Sequence, residues 1–112
     1  MISNAAAPSL IAEGSRFRGD LSFFSETYVF GIVEGDLYQQ SHEAIRVGAS
    51  GWVHGRVISQ GPVVVEGRVE GDIESAESIR LLPTATVSGR IKAPRIEVQG
   101  GAVVNGDVKS IT

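Results

Sequence analysis

A five-residue unit, apolar–x–Gly–x–apolar, recurs six times along this chain. The copies are FRGDL at 17–21, VEGDL at 33–37, VHGRV at 53–57, VEGDI at 69–73, VSGRI at 87–91 and VNGDV at 104–108. Successive central glycines lie 16, 20, 16, 18 and 17 residues apart. A period this short excludes helix-pair repeats and propeller blades, which need roughly 33–45 residues per unit. Around each unit the chain alternates with period two, as in VVVEGRVEGDI at 63–73, where one set of positions is aliphatic or Gly and the other nearly all charged. That is the pattern of short, half-buried strands, and no 3.6-residue periodicity competes with it. A unit of this length fits one turn of a parallel β-helix, each coil lying ~4.8 Å from the next. The expected fold is therefore all-β: a single-domain solenoid of about six coils without capping elements. We expect it to span residues 10–109, between a short flexible tail at 1–9 and a C-terminal tail at 110–112.

A second register accompanies the first. Aliphatic residues six or eight positions before each glycine, Ile11, Val29, Val47, Val65, Leu81 and Val98, mark another strand per coil. The link between registers is short in VFGIVEG and VEGRVEG. It is two residues longer in IAEGSRFRG, VGASGWVHG, LLPTATVSG and VQGGAVVNG, where small and turn-forming residues gather. The central glycine is expected to face inward between two aliphatics, because a narrow core cannot hold three large side chains in succession. The widest spacing, Gly35 to Gly55, places a bulge at 38–44.

Stacked coils turn equivalent outward positions into neighbours. The residue after each glycine reads Asp20, Asp36, Arg56, Asp72, Arg90, Asp107, with alternating sign from Asp36 onward. Opposite charges in adjacent strands contribute ~0.2–1 kcal/mol each and oppose slipped register, so the predicted role is a charge ladder and not acid–base chemistry. A second outward set is apolar: Tyr28, Phe30 and Ile32, with Trp52 one coil above Ile32 and Phe24 nearby in sequence. It reads as extra packing or as a flank for lateral association, a partner or a membrane surface.

The totals narrow the function. The net charge is −3 and no basic run could clamp nucleic-acid phosphates, so nucleic acid is not an expected partner. No apolar stretch is long enough to span a bilayer. The opening MISNAAAPSL lacks the basic start and apolar core of a secretory signal, and Cys is absent, so a cytoplasmic location is expected. No cofactor, metal or catalytic site is expected. His42 and His54 are far apart and lack Cys partners, and GASG at 48–51 lacks the Lys-Ser/Thr of a phosphate loop. The Gly-Asp pairs lack the nine-residue period of calcium-binding repeats. Two alternatives stay open: a monomeric or small-oligomer adaptor binding partners along its flank, and a left-handed β-helix acyltransferase. For the latter, a six-residue phase runs through Val57, Val63, Val69, Leu81 and Val87 but breaks at Ser75, Ala93 and Gln99.

VEGRVEGDI, LLPTATVSGRIKAPRIEV and GAVVNGDV, with the opening GSRFRGDLSF, closely resemble the bactofilins, polymer-forming bacterial cytoskeletal proteins. LLPTA and APRIEVQGGAVVNG are the most specific pieces. The resemblance implies a right-handed β-helix that assembles without nucleotide into non-polar filaments through its two ends. It also implies scaffolding at the inner face of the cell membrane, with cell-wall or membrane proteins as partners and cell shape as the outcome. Val104 stands where the family often has Phe, and MISNAAAPSL carries no Lys or Arg of the kind found in membrane-targeting segments of the family. Uncapped coils expose core cross-section and strand edges, which predicts end-to-end stacking. The expected polymer interfaces are Ile11, Phe17, Leu21 and Phe23 at one end and Val98, Val104, Val108 and Ile111 at the other. The chain itself is thus the principal expected partner.

Overall fold

The computed structural model describes residues 9–111. Its strands are mostly three residues long and follow one another three to a coil. The first coil holds β1 (Ser9–Ile11), β2 (Arg16–Arg18) and β3 (Leu21–Phe23), and the second β4 (Thr27–Val29), β5 (Ile32–Glu34) and β6 (Leu37–Gln39). The third holds β7 (Ile45–Val47), β8 (Trp52–His54) and β9 (Val57–Ser59), and the fourth β10 (Val63–Val65), β11 (Arg68–Glu70) and β12 (Ile73–Ser75). The fifth holds β13 (Ser78–Leu81), β14 (Thr86–Ser88) and β15 (Ile91–Ala93), and the sixth β16 (Arg95–Val98), β17 (Val103–Asn105) and β18 (Val108–Ser110).

Every strand pairs in parallel with its counterpart one coil away, giving three six-stranded sheets: β1-β4-β7-β10-β13-β16, β2-β5-β8-β11-β14-β17 and β3-β6-β9-β12-β15-β18. The described chain is thus an all-β solenoid of six coils, as the repeat predicts, and contains no helix.

Alternation decides what each sheet buries. In the first and third sheets the outer two residues of a strand point inward; in the second only the middle one does. Five side chains per coil therefore fill the core, as with Ile79, Leu81, Val87, Ile91 and Ala93, all fully buried. The long links are the corners between the first and second sheets. Each is closed by an i to i+3 backbone bond, Gly51 N–H to Gly48 C=O at 2.8 Å and Ala85 N–H to Leu82 C=O at 2.9 Å.

The repeat glycine has a different purpose from the one expected. It lies at the corner between the second and third sheets and does not face the core. Gly71 has φ +148, a region that side chains rarely adopt, and a Cβ there would strike the carbonyl of Gly55 one coil below. The same glycine-to-carbonyl contact recurs from Gly35 on Gly19 to Gly106 on Gly89. Core volume is not what forbids a side chain; the approach of stacked backbones is.

The third sheet also holds an inward column of polar residues, Gln39, Ser59 and Ser75, all buried. Their side chains bond the corner backbone: Ser59 Oγ donates to Gly61 C=O at 2.8 Å, Ser75 Oγ to the same oxygen at 2.7 Å, and Gln39 Nε2 to Ser25 C=O at 2.7 Å. No buried side-chain N or O among the described residues lacks a partner. The bulge is shorter than expected. Tyr38 and Gln39 belong to β6, and the extra residues are 40–44, fastened where Ser41 donates through N–H and Oγ to Gln39 Oε1.

Candidate functional site

Among the described residues, the terminal coils of the solenoid differ from its middle in having a neighbouring coil on one side only. Among the described residues nothing pairs with the outer edges of β1, β2 and β3, or of β16, β17 and β18. The core side chains of those coils are left partly uncovered. Val108 faces Ile91 and is 48% exposed, whereas Ile91 is fully buried. Val98 stands over Leu81 and is 47% exposed, and Phe17 stands beneath Val33 and is 39% exposed; both partners are fully buried. Val104, Ile11 and Leu21 occupy equivalent positions over Val87, Val29 and Leu37 and are partly buried. Ile111 follows β18 and is exposed.

Phe23 departs from this set. Its ring is already buried within the first coil and offers little surface at the end. Ile96, above Ile79, completes the C-terminal slice. The inward pair Ile96/Val98 is legible in the sequence, yet only the stacking shows that both members face the open side.

The charge ladder is built differently from a row of ion pairs. Asp20 Oδ1 accepts the Asp36 N–H at 3.0 Å, Asp36 Oδ1 the Arg56 N–H at 2.9 Å, and Asp72 Oδ1 the Arg90 N–H at 3.0 Å. Each of these aspartates thus holds the backbone one coil on, whatever side chain that residue carries. Only Asp36 and Arg56 also join side chains, through Arg56 Nη2 to Oδ2 at 3.1 Å. Among the described residues Arg56 with Asp72, Asp72 with Arg90, and Arg90 with Asp107 form no side-chain ion pair. The alternating-sign account holds at the Asp36–Arg56 rung alone, and carboxylate-to-amide bonds hold three of the five rungs. The Arg56 N–H, ahead of its guanidinium, holds the Asp36 carboxyl below its ordinary value, and the bond from Tyr38 Oη to Asp36 raises the Tyr38 phenol above its own.

The apolar flank is divided by the fold. Trp52 does lie opposite Ile32 in the second sheet, and Tyr28 stacks with Phe30 at 6.1 Å between centroids. Phe30 sits at the corner between the first two sheets and its ring occupies the space where a Cβ on Gly48 would be, so it packs locally on the coil above. Phe24, 71% exposed, lies at the other edge of the first sheet, at the corner with the third, and does not join this group. Trp52 itself belongs to a polar cluster. Its Nε1–H donates to Glu70 Oε2 at 3.1 Å, Arg68 lies over its ring at 5.1 Å, and His54 packs beside it at 4.5 Å with Nδ1 3.3 Å from Glu70 Oε1. His42 is far from this group and exposed, with Nδ1 3.9 Å from Glu77 Oε2.

The family model described as "Bactofilin: Polymer-forming cytoskeletal" matches residues 9–109. Bactofilin BacO of Myxococcus xanthus (strain DK1622) is 31% identical over 102 residues, covering 91% of this chain and 79% of that protein. No solved structure gives a significant match. The matched span runs from the first strand into the last, and the chain belongs to the bactofilin family of polymer-forming cytoskeletal proteins.

Proposed function

We propose that the protein serves as a cytoplasmic scaffold whose subunits join end to end, without nucleotide, each end meeting its own kind so that the filament has no polarity. The observation that carries this reading is the contrast within single core columns, fully buried in the interior but partly exposed in the terminal coils, up to about half at Val98 and Val108. A second solenoid set against either end would cover that surface and pair the free strand edges. A two-fold contact would bring these edges together antiparallel. The family is cytoskeletal and not enzymatic, which sets the acyltransferase alternative aside. No helix among the described residues is long and apolar enough to cross a membrane. We assign membrane or cell-wall proteins as the cargo of the filament and cell shape as its outcome, on the strength of the family resemblance.

Electron microscopy of purified protein in nucleotide-free buffer tests the reading, with Val108→Arg as the control. Completing the burial of Val108 is worth about 1 kcal/mol per copy, half the value of a whole aliphatic side chain. An arginine forfeits this in both copies and sets two charges face to face, so the contact loses at least about 3 kcal/mol, more than a hundredfold. We expect filaments from the wild type and short oligomers from the variant, with unchanged circular dichroism. Normal filaments from Val108→Arg would refute the end-stacking assignment.

A further inference from the structure

Lys92 faces Lys109 across β15 and β18, and this is the only strand pairing among the described residues that sets like charges directly opposite. Every other pairing of a charged residue sets it against its opposite or a neutral side chain, as in Arg18 with Glu34 and Arg80 with Glu97, and Lys92 itself faces Glu74 on its other side. Like charges at this ~4.8 Å separation destabilise a sheet. Among the described residues neither lysine forms an ion pair; every ion pair lies elsewhere. Arg90 adds a third cation. Its backbone is pinned by Asp72, while its guanidinium makes no ion pair among the described residues. Arg90, Lys92 and Lys109, with Ile91 and Asp107, line a surface cavity of about 240 Å³. Three cations and one carboxylate, Asp107, line this cavity, and Glu74 faces Lys92 from the coil before. A repulsive rung kept here, when no other strand pairing among the described residues sets like charges opposite each other, has the mark of a binding site.

We propose that Arg90, Lys92 and Lys109 bind the phosphate group of a small soluble compound. A phosphate dianion accepts from two ammonium groups and the guanidinium fork together, and turns the lysine repulsion into shared attraction. The cavity has room for the phosphate and for part of the molecule that bears it. A flat anionic bilayer fits poorly. Asp72 and Glu74, exposed on the same side in the coil before, would repel it. The site could not be read along the chain, because its cations come from two coils 17 residues apart and form no basic run.

The test is calorimetric titration and thermal unfolding of the full chain with inorganic phosphate and pyrophosphate at constant ionic strength. Lys92→Gln and Lys109→Gln are run beside the wild type, and vesicles of anionic phospholipid are sedimented with each. We expect pyrophosphate to raise the wild-type unfolding temperature and to bind about tenfold more weakly to either variant. We also expect Lys109→Gln, which relieves the repulsion and leaves Glu74 opposite Lys92, to be the more stable protein in phosphate-free, low-salt buffer. Equal binding to wild type and variants overturns the assignment, as does no response to either phosphate. Lysine-dependent binding to vesicles alone overturns it in favour of a membrane contact. Aggregation of Lys109→Gln with an unchanged phosphate response overturns it in favour of a lysine that only guards the sheet edge.

Discussion

Four glycine-to-alanine substitutions can separate the two reasons that this solenoid needs glycine. Gly100 has neither positive φ nor any atom within 4 Å of where a methyl group would stand, so alanine there should lie within about 0.5 kcal/mol of wild type. Gly14 has φ +88 and open space around it, and should cost only the backbone contribution of about 1–2 kcal/mol. Gly67 has no positive φ, but a Cβ would meet the carbonyls of Gly48 and Gly51, so alanine there should cost the steric contribution of about 1–3 kcal/mol. Gly71 combines positive φ with the Gly55 carbonyl and should lose the sum, about 2–5 kcal/mol. Urea unfolding followed by circular dichroism, at protein concentrations below assembly, would measure each difference from the shift in midpoint at constant slope. If Gly71→Ala costs no more than Gly14→Ala, the approach of neighbouring coils is not what holds glycine at that corner and the reasoning fails.

Other expectations concern charge, polarity and the flank. Asp36 has a carboxyl held below its ordinary value of 3.8 by the Arg56 amide, so its contribution is present above that value and lost as the pH falls through the lower, folded value. Asp36→Asn keeps an acceptor for that amide and should lose less stability than wild type between about pH 7 and about pH 3 in urea unfolding. The chain has no cysteine, so Ser110→Cys on the terminal strand introduces a single thiol. Oxidation should yield covalent dimers if like ends meet and none if filaments run head to tail. Phe30→Ser removes a ring packed on Gly48 and should cost about 1–2 kcal/mol while leaving liposome sedimentation unchanged. Reduced sedimentation with unaltered stability would instead make this flank a membrane surface.

Much of the fold could be read from the repeat. VHGRV and its equivalents give the middle residue of one sheet and the first of the next, and the two link lengths map onto corners with and without a closed turn. What escaped lies between coils. The absence of a side chain at Gly71 is visible in the sequence, but the atom that forbids one belongs to Gly55, 16 residues earlier. Asp36 and Arg56 look like partners by sign, whereas the bond that recurs uses the arginine's amide, which every residue type but proline supplies. Gln39 falls within the expected bulge at 38–44 and Ser75 breaks the six-residue phase, and neither they nor Ser59 announce a place in the core, because polarity normally marks the surface. They are inside because corner carbonyls and amides must be satisfied where the chain turns. Of the end residues, the aliphatic ones follow directly from alternation. Phe23 does not, because alternation says which way a side chain points, not whether its own coil already covers it.

The contact of each corner glycine with the carbonyl below makes the coils interchangeable modules. Val63 faces Ile79 and Ile45 in the same register, and nothing in either pairing depends on how many coils lie beyond. Duplicating residues 63–78 would therefore present the coils on either side with the partners they already have, and only Arg68, Glu70 and Glu74, each then facing its own copy, would need exchange. Subunit length is then adjustable only in whole steps of ~4.8 Å. In a filament of such subunits, anything attached once per copy is spaced by a ruler whose graduations are single coils.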